Sequence, residues 1–361
     1  MATTQVLTGS NLNPTRVQER LISTIAERQN PFAPLIGTSS DSVIQMITDL
    51  QKQAGDTVKV NLRAKLAGLG VDGDSTLEGN EEAMSFYQDT VKIDQKRHAV
   101  RLDGQMTEQR SALKLRSEAG PALAVWGREI STEFLAYALS GARGVRTGDL
   151  ILPTTYTGHA GNTLTAPDSG HQLIAGAGTK AGLTASDKMS TAVLDLAVRK
   201  IKLLINNGAA MRPVMINGQK YFHCFLTPEQ EYDLRQDSAW KTAQQNAAER
   251  GGDNPLFTGA LGIWNGLVLR TLDCGVLFSD YGAGANVGAA RALILGAQAG
   301  AIAFGGVGGT TDGGGRWKYT EKQFDYDNQV GFAVKTIVGA KKLNFNGKDF
   351  GAFTVDTAYT A

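Results

Sequence analysis

The chain has 361 residues, enough for two or three domains and a sizeable core. Only 20 % of them are charged, and 36 Lys and Arg against 35 Asp and Glu leave a formal +1. That balance argues against a nucleic-acid or membrane binder driven by net charge.

Cys224 and Cys274 make no disulfide framework, the opening MATTQVLTGS has no signal-peptide pattern, and no run of eighteen apolar residues occurs. The sequence therefore predicts a chain made and used in a cytosol, with no membrane partner.

In chain order, residues 1–30 read as a polar arm, with a short amphipathic helix over Arg16–Arg28 on Val17, Leu21 and Ile25. Val43, Ile44, Ile47 and Leu50 mark a short element. From Thr57 the period becomes two: Val58, Val60 and Leu62, then Val91 and Ile93, then His98–Leu102 predict an extended two-stranded ribbon up to Gly104. Between its strands, Asp72, Asp74, Glu78, Glu81 and Glu82 sit among four glycines. Leu69, Val71 and Leu77 are almost the only large apolar residues there. Such a segment has nothing of its own to fold on, so it is expected to lie on a neighbouring copy, leucines down. Its acids would then face basic residues such as Lys96, Arg97 and Arg101.

Residues 105–140 predict a spine helix, with Leu115, Ala119, Ala122, Trp126, Ile130, Phe134 and Ala138 on one stripe. Gly120-Pro121 predicts a kink or a restart in its middle. Residues 141–185 read as loop. A helix capped by Ser186 or Thr184 follows and stops at Asn207-Gly208. Asn217-Gly218 between apolar and aromatic runs predicts a hairpin. Thr227-Pro228-Glu229-Gln230 predicts a boxed helix start, with the helix continuing to Arg250. Leu267–Leu269 and Cys274–Phe278 read as strands, Val287–Ala303 as a small-residue helix, and Gly305–Gly315 as a glycine loop. Gln329–Val338, an Asn346-Gly347 hairpin and Ala352–Val355 close the chain as sheet. The fold class is α+β.

No cofactor, metal or catalytic pattern emerges. Gly282–Gly288 misses the dinucleotide fingerprint, Gly305–Gly315 has no Gly-Lys-Ser/Thr and so is no phosphate loop, and the four histidines share no metal spacing with the cysteines. His223 and Cys224 alternate within a strand and read as core.

The succession resembles the major capsid proteins of tailed bacteriophages, in the branch named after the coliphage N-four capsid protein, with the Hong Kong 97-type fold. The matching segments are GLGVDGDSTLEGNEEA from Gly68, Gln109-Arg110 with Leu115-Arg116, Trp126, Pro213 with Gly218 and Tyr221, and Phe225-Leu226 with Pro228. Asp233-Leu234-Arg235, Asn254-Pro255 through Gly259, Asp325 through Gly331, and Gly339 through Phe345-Asn346-Gly347 complete them.

The resemblance implies an N-terminal arm and lead-in over 1–55, an E-loop over 56–103, and a P-domain over 104–185 carrying the spine helix 105–140. An A-domain over 186–325 and C-terminal strands over 326–361 returning to the P-domain would follow. It implies hexamers and pentamers of the chain in an icosahedral head shell around double-stranded DNA, assembled in a host bacterial cytoplasm and carried in the virion. A separate scaffolding protein, a decoration or cement protein and a portal protein are the further partners, with non-specific DNA contact from an inner face for which Arg110, Lys114 and Arg128 are candidates. An encapsulin-like compartment without a genome and an α+β enzyme using the 305–315 loop are the competing readings.

Overall fold

The computed structural model describes residues 30–51, 55–63, 66, 68–111, 115–207, 210–216, 218–248, 261–307 and 316–360. The expected arm helix, Lys114, Asn217, Asn254, Pro255, Gly259 and most of the 305–315 loop lie outside them.

The spine is a helix at Leu115–Ser140, preceded by a short helix at Gln105–Arg110. The interruption thus falls before Leu115, and Gly120-Pro121 lies inside the long helix. A proline there removes one backbone bond, and the buried Ala119, Gly120, Leu123 and Ala124 around it supply the compensating contacts. The predicted stripe holds at Ala119, Ile130, Phe134 and Ala138, while Ala122 is exposed and Trp126 half-buried. From Thr132 to Ser140 every residue is buried, so the helix ends inside the molecule. Its buried hydroxyls are satisfied locally: Thr132 Oγ1 donates to Arg128 O at 2.8 Å and Ser140 Oγ to Ala136 O at 2.6 Å.

Two sheets flank this helix. The six-stranded sheet runs Ile36–Gly37, Ile44–Ile47, Gly300–Phe304, Gln329–Lys342 and Trp317–Phe324, with Asp94–Leu102 also paired to Gln329–Lys342. In the long strand Val330, Phe332, Val334, Thr336 and Val338 are buried in alternation. That period of two puts one face on the spine and leaves the other open.

The eight-stranded sheet is centred on Gln219–Leu226, Val287–Leu295 and Ala352–Ala358. Val287–Ala303 is therefore two strands, Val287–Leu295 and Gly300–Phe304, and not the expected helix. Both strands are covered on both faces, which erases the alternation that marks a half-buried strand, and the alanines that suggest a helix serve close packing instead.

Other local differences have equally local causes. The helix Thr191–Leu203 is capped by Ser190, not Ser186 or Thr184; Thr184 and Asp187 instead close a turn, with Thr184 N donating to Asp187 Oδ2 at 2.8 Å. The box at Thr227 and Gln230 forms as expected, but its helix ends at Gln236 and a second runs Ser238–Ala248. Asp237 between them is extended and accepts from Thr191 N at 2.7 Å and Ala239 N at 3.2 Å, so it caps the second helix and ties it to another. Cys274–Val276 precedes, rather than begins, the strand Leu277–Tyr281. The hairpin Val214–Ile216 with Gln219–Leu226 forms around Gly218, which has φ +78°.

One ion pair joins the spine to the eight-stranded sheet. Arg291 reaches Asp356 on the adjacent strand through Nε–Oδ1 and Nη2–Oδ2, both 2.7 Å, and its Nη1 donates to Ser140 O at 2.9 Å. Tyr281 Oη and Gln172 Nε2 each donate to Asp356 Oδ2 at 2.7 Å. Burial disfavours the guanidinium charge, but the adjacent Asp356 outweighs it and holds Arg291 above its usual value.

His223 and Cys224 are both buried in the core of the same sheet. Burial, with Arg270 nearby, pushes the imidazole down to about 4, and burial pushes the Cys224 thiol up to about 12.

Asp356→Asn should cost about 3–5 kcal/mol in urea unfolding, because it strands a buried guanidinium. Replacing both partners by apolar residues (R291M with D356L) should cost less than that single change. His223 favours the fold when neutral. Its contribution is therefore complete above its ordinary pKa near 6.5 and is lost as pH falls toward 4. H223F should flatten the pH dependence of the unfolding midpoint in that window relative to the parent chain.

Candidate assembly surface

The extended ribbon is a hairpin of Thr57–Arg63 and Phe86–Lys92, in register from Thr57↔Lys92 at its base to Arg63↔Phe86 at its far end. Its base is anchored. Val60 and Val91 are buried with Ile47, Ala301, Ala303, Leu343 and Phe345. Lys92 N donates to Asn162 Oδ1 at 2.9 Å, and Asn162 Nδ2 donates to Lys92 O at 2.7 Å. Asp89, itself buried, pairs with Lys341 Nζ and accepts from Asn344 N at 3.0 Å. A Cβ at position 339 would lie 1.8 Å from Lys92 O, so only glycine lets the long strand and the ribbon approach this closely.

The closing motif thus has a physical role in every part. Lys342 pairs with Asp349 at 2.8 Å in the interior, where burial lowers the lysine and raises the carboxyl. Asn346 and Gly347, at φ +54° and +72°, close the expected hairpin of Asn344–Phe345 with Lys348–Asp349.

Between Arg63 and Phe86 the described residues form neither helix nor strand. Leu69 is fully exposed and Leu77 is 60 % exposed, as are most of Leu66, Met84 and Phe86, while Val71 is half-buried. Asp72, Asp74 and Glu78 are exposed. Glu81 and Glu82 act partly within the loop, accepting from Gly79 N at 2.8 Å and Gly68 N at 2.7 Å. The two acids nearest the returning strand therefore also shape the loop.

The basic cluster expected at the end of the ribbon is elsewhere. Residues 94–102 leave the hairpin after Ile93 and join the six-stranded sheet, so Lys96, Arg97 and Arg101 belong to that sheet and divide between its faces. Of the inner-face candidates, Arg110 is exposed at the end of the short helix, and half-buried Arg128 lies 3.3 Å from Glu129.

Arg128 borders a cleft of about 510 Å3 between the spine and residues 146–150 and 272–274. Its chemistry is structural. Glu133 accepts from Ile151 N at 2.7 Å and Leu152 N at 2.8 Å; burial raises its carboxyl while these amides oppose the shift. Arg143 donates to Leu152 O through Nε at 3.1 Å and Nη2 at 2.9 Å, and Arg146 pairs with Glu229 at 2.5 Å. Burial pushes the Cys274 thiol up to about 12, away from nucleophilic use. No motif in the sequence marked Glu133, Arg143, Arg146, Arg291 or Asp356, since each lies isolated among residues far from its partner. Among the described residues no group of three or more His, Cys, Asp or Glu is arranged to hold a metal ion.

Comparison with known proteins agrees with a structural role. The family model described as phage capsid protein matches residues 6–361. The chain is 29 % identical over 357 residues to the major capsid protein of Pseudomonas phage KPP25, covering 90 % of this chain and 89 % of that one. The capsid of Ralstonia phage GP4 is similar with a TM-score of 0.81 and 38 % identity, over 91 % of this chain and 90 % of its own. The capsid subunit of cyanophage Pam1 shares the fold, with a TM-score of 0.73 at 22 % identity over 99 % of both chains. The mixed α+β fold is that of Hong Kong 97-like capsid proteins. The chain belongs to the phage capsid protein family: it is a structural subunit of the icosahedral virion shell, not an enzyme.

Proposed function

We propose that copies of the chain assemble as hexamers and pentamers into a head shell around double-stranded DNA in a bacterial cytoplasm. The observation that carries this is the loop between Arg63 and Phe86: its leucines and acids are exposed on their own chain, while its base is held by Asp89, Lys341, Asn162 and the tight contact at Gly339. An anchored arm with an unburied apolar tip needs a second copy to cover it.

In this reading residues 1–55 are the arm and lead-in, 56–103 the E-loop, 104–185 the P-domain, 186–325 the A-domain and 326–361 the returning strands. Nine residues near the end of the E-loop span, Asp94–Leu102, form a strand of the sheet beside the spine, which supports a rigid root for the loop. The motifs at Gly68–Ala83 and Lys341–Gly347 support the N-four-like branch within the family. A separate scaffold, a decoration or cement protein and a portal complete the partners. Contact with the packaged duplex is non-specific, as a balanced net charge favours, with exposed Arg110 as one contributor.

Electron microscopy of the purified chain should reveal closed shells, and nucleic acid recovered from native particles should be double-stranded DNA. Nucleic-acid-free native particles would instead mark a cargo compartment. Deleting residues 70–80 behind a short glycine bridge should leave the urea unfolding midpoint near that of the parent and sharply reduce closed shells. Normal shells that withstand heat and high salt as the parent does would remove the loop from assembly.

A further inference from the structure

The lysine–carboxylate pairs of this chain sit in very different surroundings. Lys180 and Asp280 are exposed, and Lys341 stays partly open where it meets Asp89. The side chains of Lys342 and Asp349 are 2 % and 0 % exposed. Lys342 Nζ lies 2.8 Å from Asp349 Oδ2, across the turn between the long strand Gln329–Lys342 and the last strand Ala352–Ala358.

A nitrogen hydrogen-bonded to one carboxylate oxygen lies within about 4 Å of the carboxyl carbon, because a single C–O bond separates them. Nucleophilic attack needs about 3–3.5 Å, which a small rotation of either side chain supplies. Both oxygens of Asp349 are held: Asp168 N donates to Oδ2 at 3.3 Å and Asn344 Nδ2 to Oδ1 at 3.5 Å. Asp349 N in turn donates to Asp168 Oδ2 at 2.7 Å, which locks the carboxyl's own backbone in place.

Burial is the largest influence on both partners, lowering the lysine and raising the carboxyl. Of the other charges that face Lys342, Arg291 opposes the ammonium and Asp168 favours it; Asp168 also raises Asp349. The net shifts lessen the cost of moving the shared proton from Nζ to Oδ2, which leaves a neutral amine beside a neutral acid. Arg291 and Asp356 are buried as deeply, but a guanidinium keeps its proton and is no nucleophile.

We propose that Lys342 and Asp349 condense within the folded chain to form an isopeptide bond. The shared proton passes to Oδ2, and the amine lone pair attacks Cγ to form the C–N bond. Oδ1 takes up the displaced electron pair beside Asn344 Nδ2. As the carbonyl re-forms, the bond from Cγ to Oδ2 breaks, and Oδ2 leaves as water with its own proton and one from the nitrogen. The net change is the loss of one water, with no oxidant, reductant or second chain involved.

The link ties the end of the long strand to the entrance of Ala352–Ala358, and so fastens one sheet to the other. Lys341 and Asn344, close by in the chain, hold Asp89 at the base of the ribbon, so the same bond stiffens the ribbon's root. One folded chain suffices, whether or not it enters a shell.

Mass spectrometry of the full chain, kept folded at neutral pH, tests the link. The parent should be lighter by one water than its sequence requires, counted after any removal of Met1. Trypsin should leave a branched peptide in which 342–348 and 349–361 stay joined and Lys342 is uncut. K342R and D349A should each show the full mass and give linear peptides. Should neither variant fold, the parent's mass and its branched peptide still decide. A parent of full mass with linear peptides, both as free chain and from shells, would overturn the bond. A missing water that maps instead to a cyclic imide at Asp72-Gly73 would overturn it equally.

Discussion

The contact between Arg291, Asp356 and the last turn of the spine helix constrains the whole molecule. The spine runs into the interior with nine consecutive buried residues, Thr132–Ser140, and its final carbonyls need donors where no water reaches. Arg291 supplies one from the central strand Val287–Leu295, and Asp356 on the neighbouring strand balances the charge so introduced. A guanidinium can do this because its donors fork in one plane, two to a carboxylate and a third to a carbonyl. Moving the helix by a turn would leave an ion pair in the core with an unpaired donor. Helix and sheet are thus fixed relative to one another by a polar contact, and the large apolar cluster shared by both packs around that geometry.

A second constraint sets the direction of the hairpin. Gly339 permits contact with Lys92 O, Asn162 brackets the same residue from both backbone groups, and Asp89 collects Lys341 and Asn344 N. These bonds join segments separated by some 70 and 250 positions in the chain. The angle at which the ribbon leaves the body is therefore a property of the closing motif as much as of the ribbon. This accounts for turn and packing residues such as Gly339 and Lys341 forming part of a recognisable pattern although they perform no chemistry.

Much of this was legible in the sequence where one physical rule acted alone. The alternation at Val58–Leu62, the capping box at Thr227, the hairpin of Val214–Ile216 with Gln219–Leu226 and the Asn-Gly turn at 346–347 each report a local geometry that the structure keeps. The reading failed where tertiary context overrode the local signal. Val287–Leu295 is covered on both faces and so has no period, and its alanines imitate a helix. The break at Asp237 depends on a bond to Thr191, 46 residues away, which no local propensity registers. The basic cluster at 96–101 looked like one patch because its members are close in sequence. In a strand that closeness scatters them, putting Lys96 opposite Thr336 while Arg97 and Arg101 gather with Lys318, Lys322 and Lys335 from distant segments. The candidate surface was visible as a loop without a core, whereas the gathering of cations on one sheet face depends on strand register.

The near-zero net charge then acquires a different meaning. A formal +1 conceals a segregation, with five acids on one loop and five cations on one sheet face. If one copy's loop lies on the next copy's sheet, the two halves of the contact are different surfaces. Such a heterologous contact satisfies neither copy alone, and it repeats around a ring until the rotation closes. Individual exposed pairs contribute little and weaken with salt, so they suit a contact that must form, slip and re-form while a ring closes. The strong buried pairs, Arg291–Asp356 and Lys342–Asp349, lie within the subunit, where no adjustment is wanted.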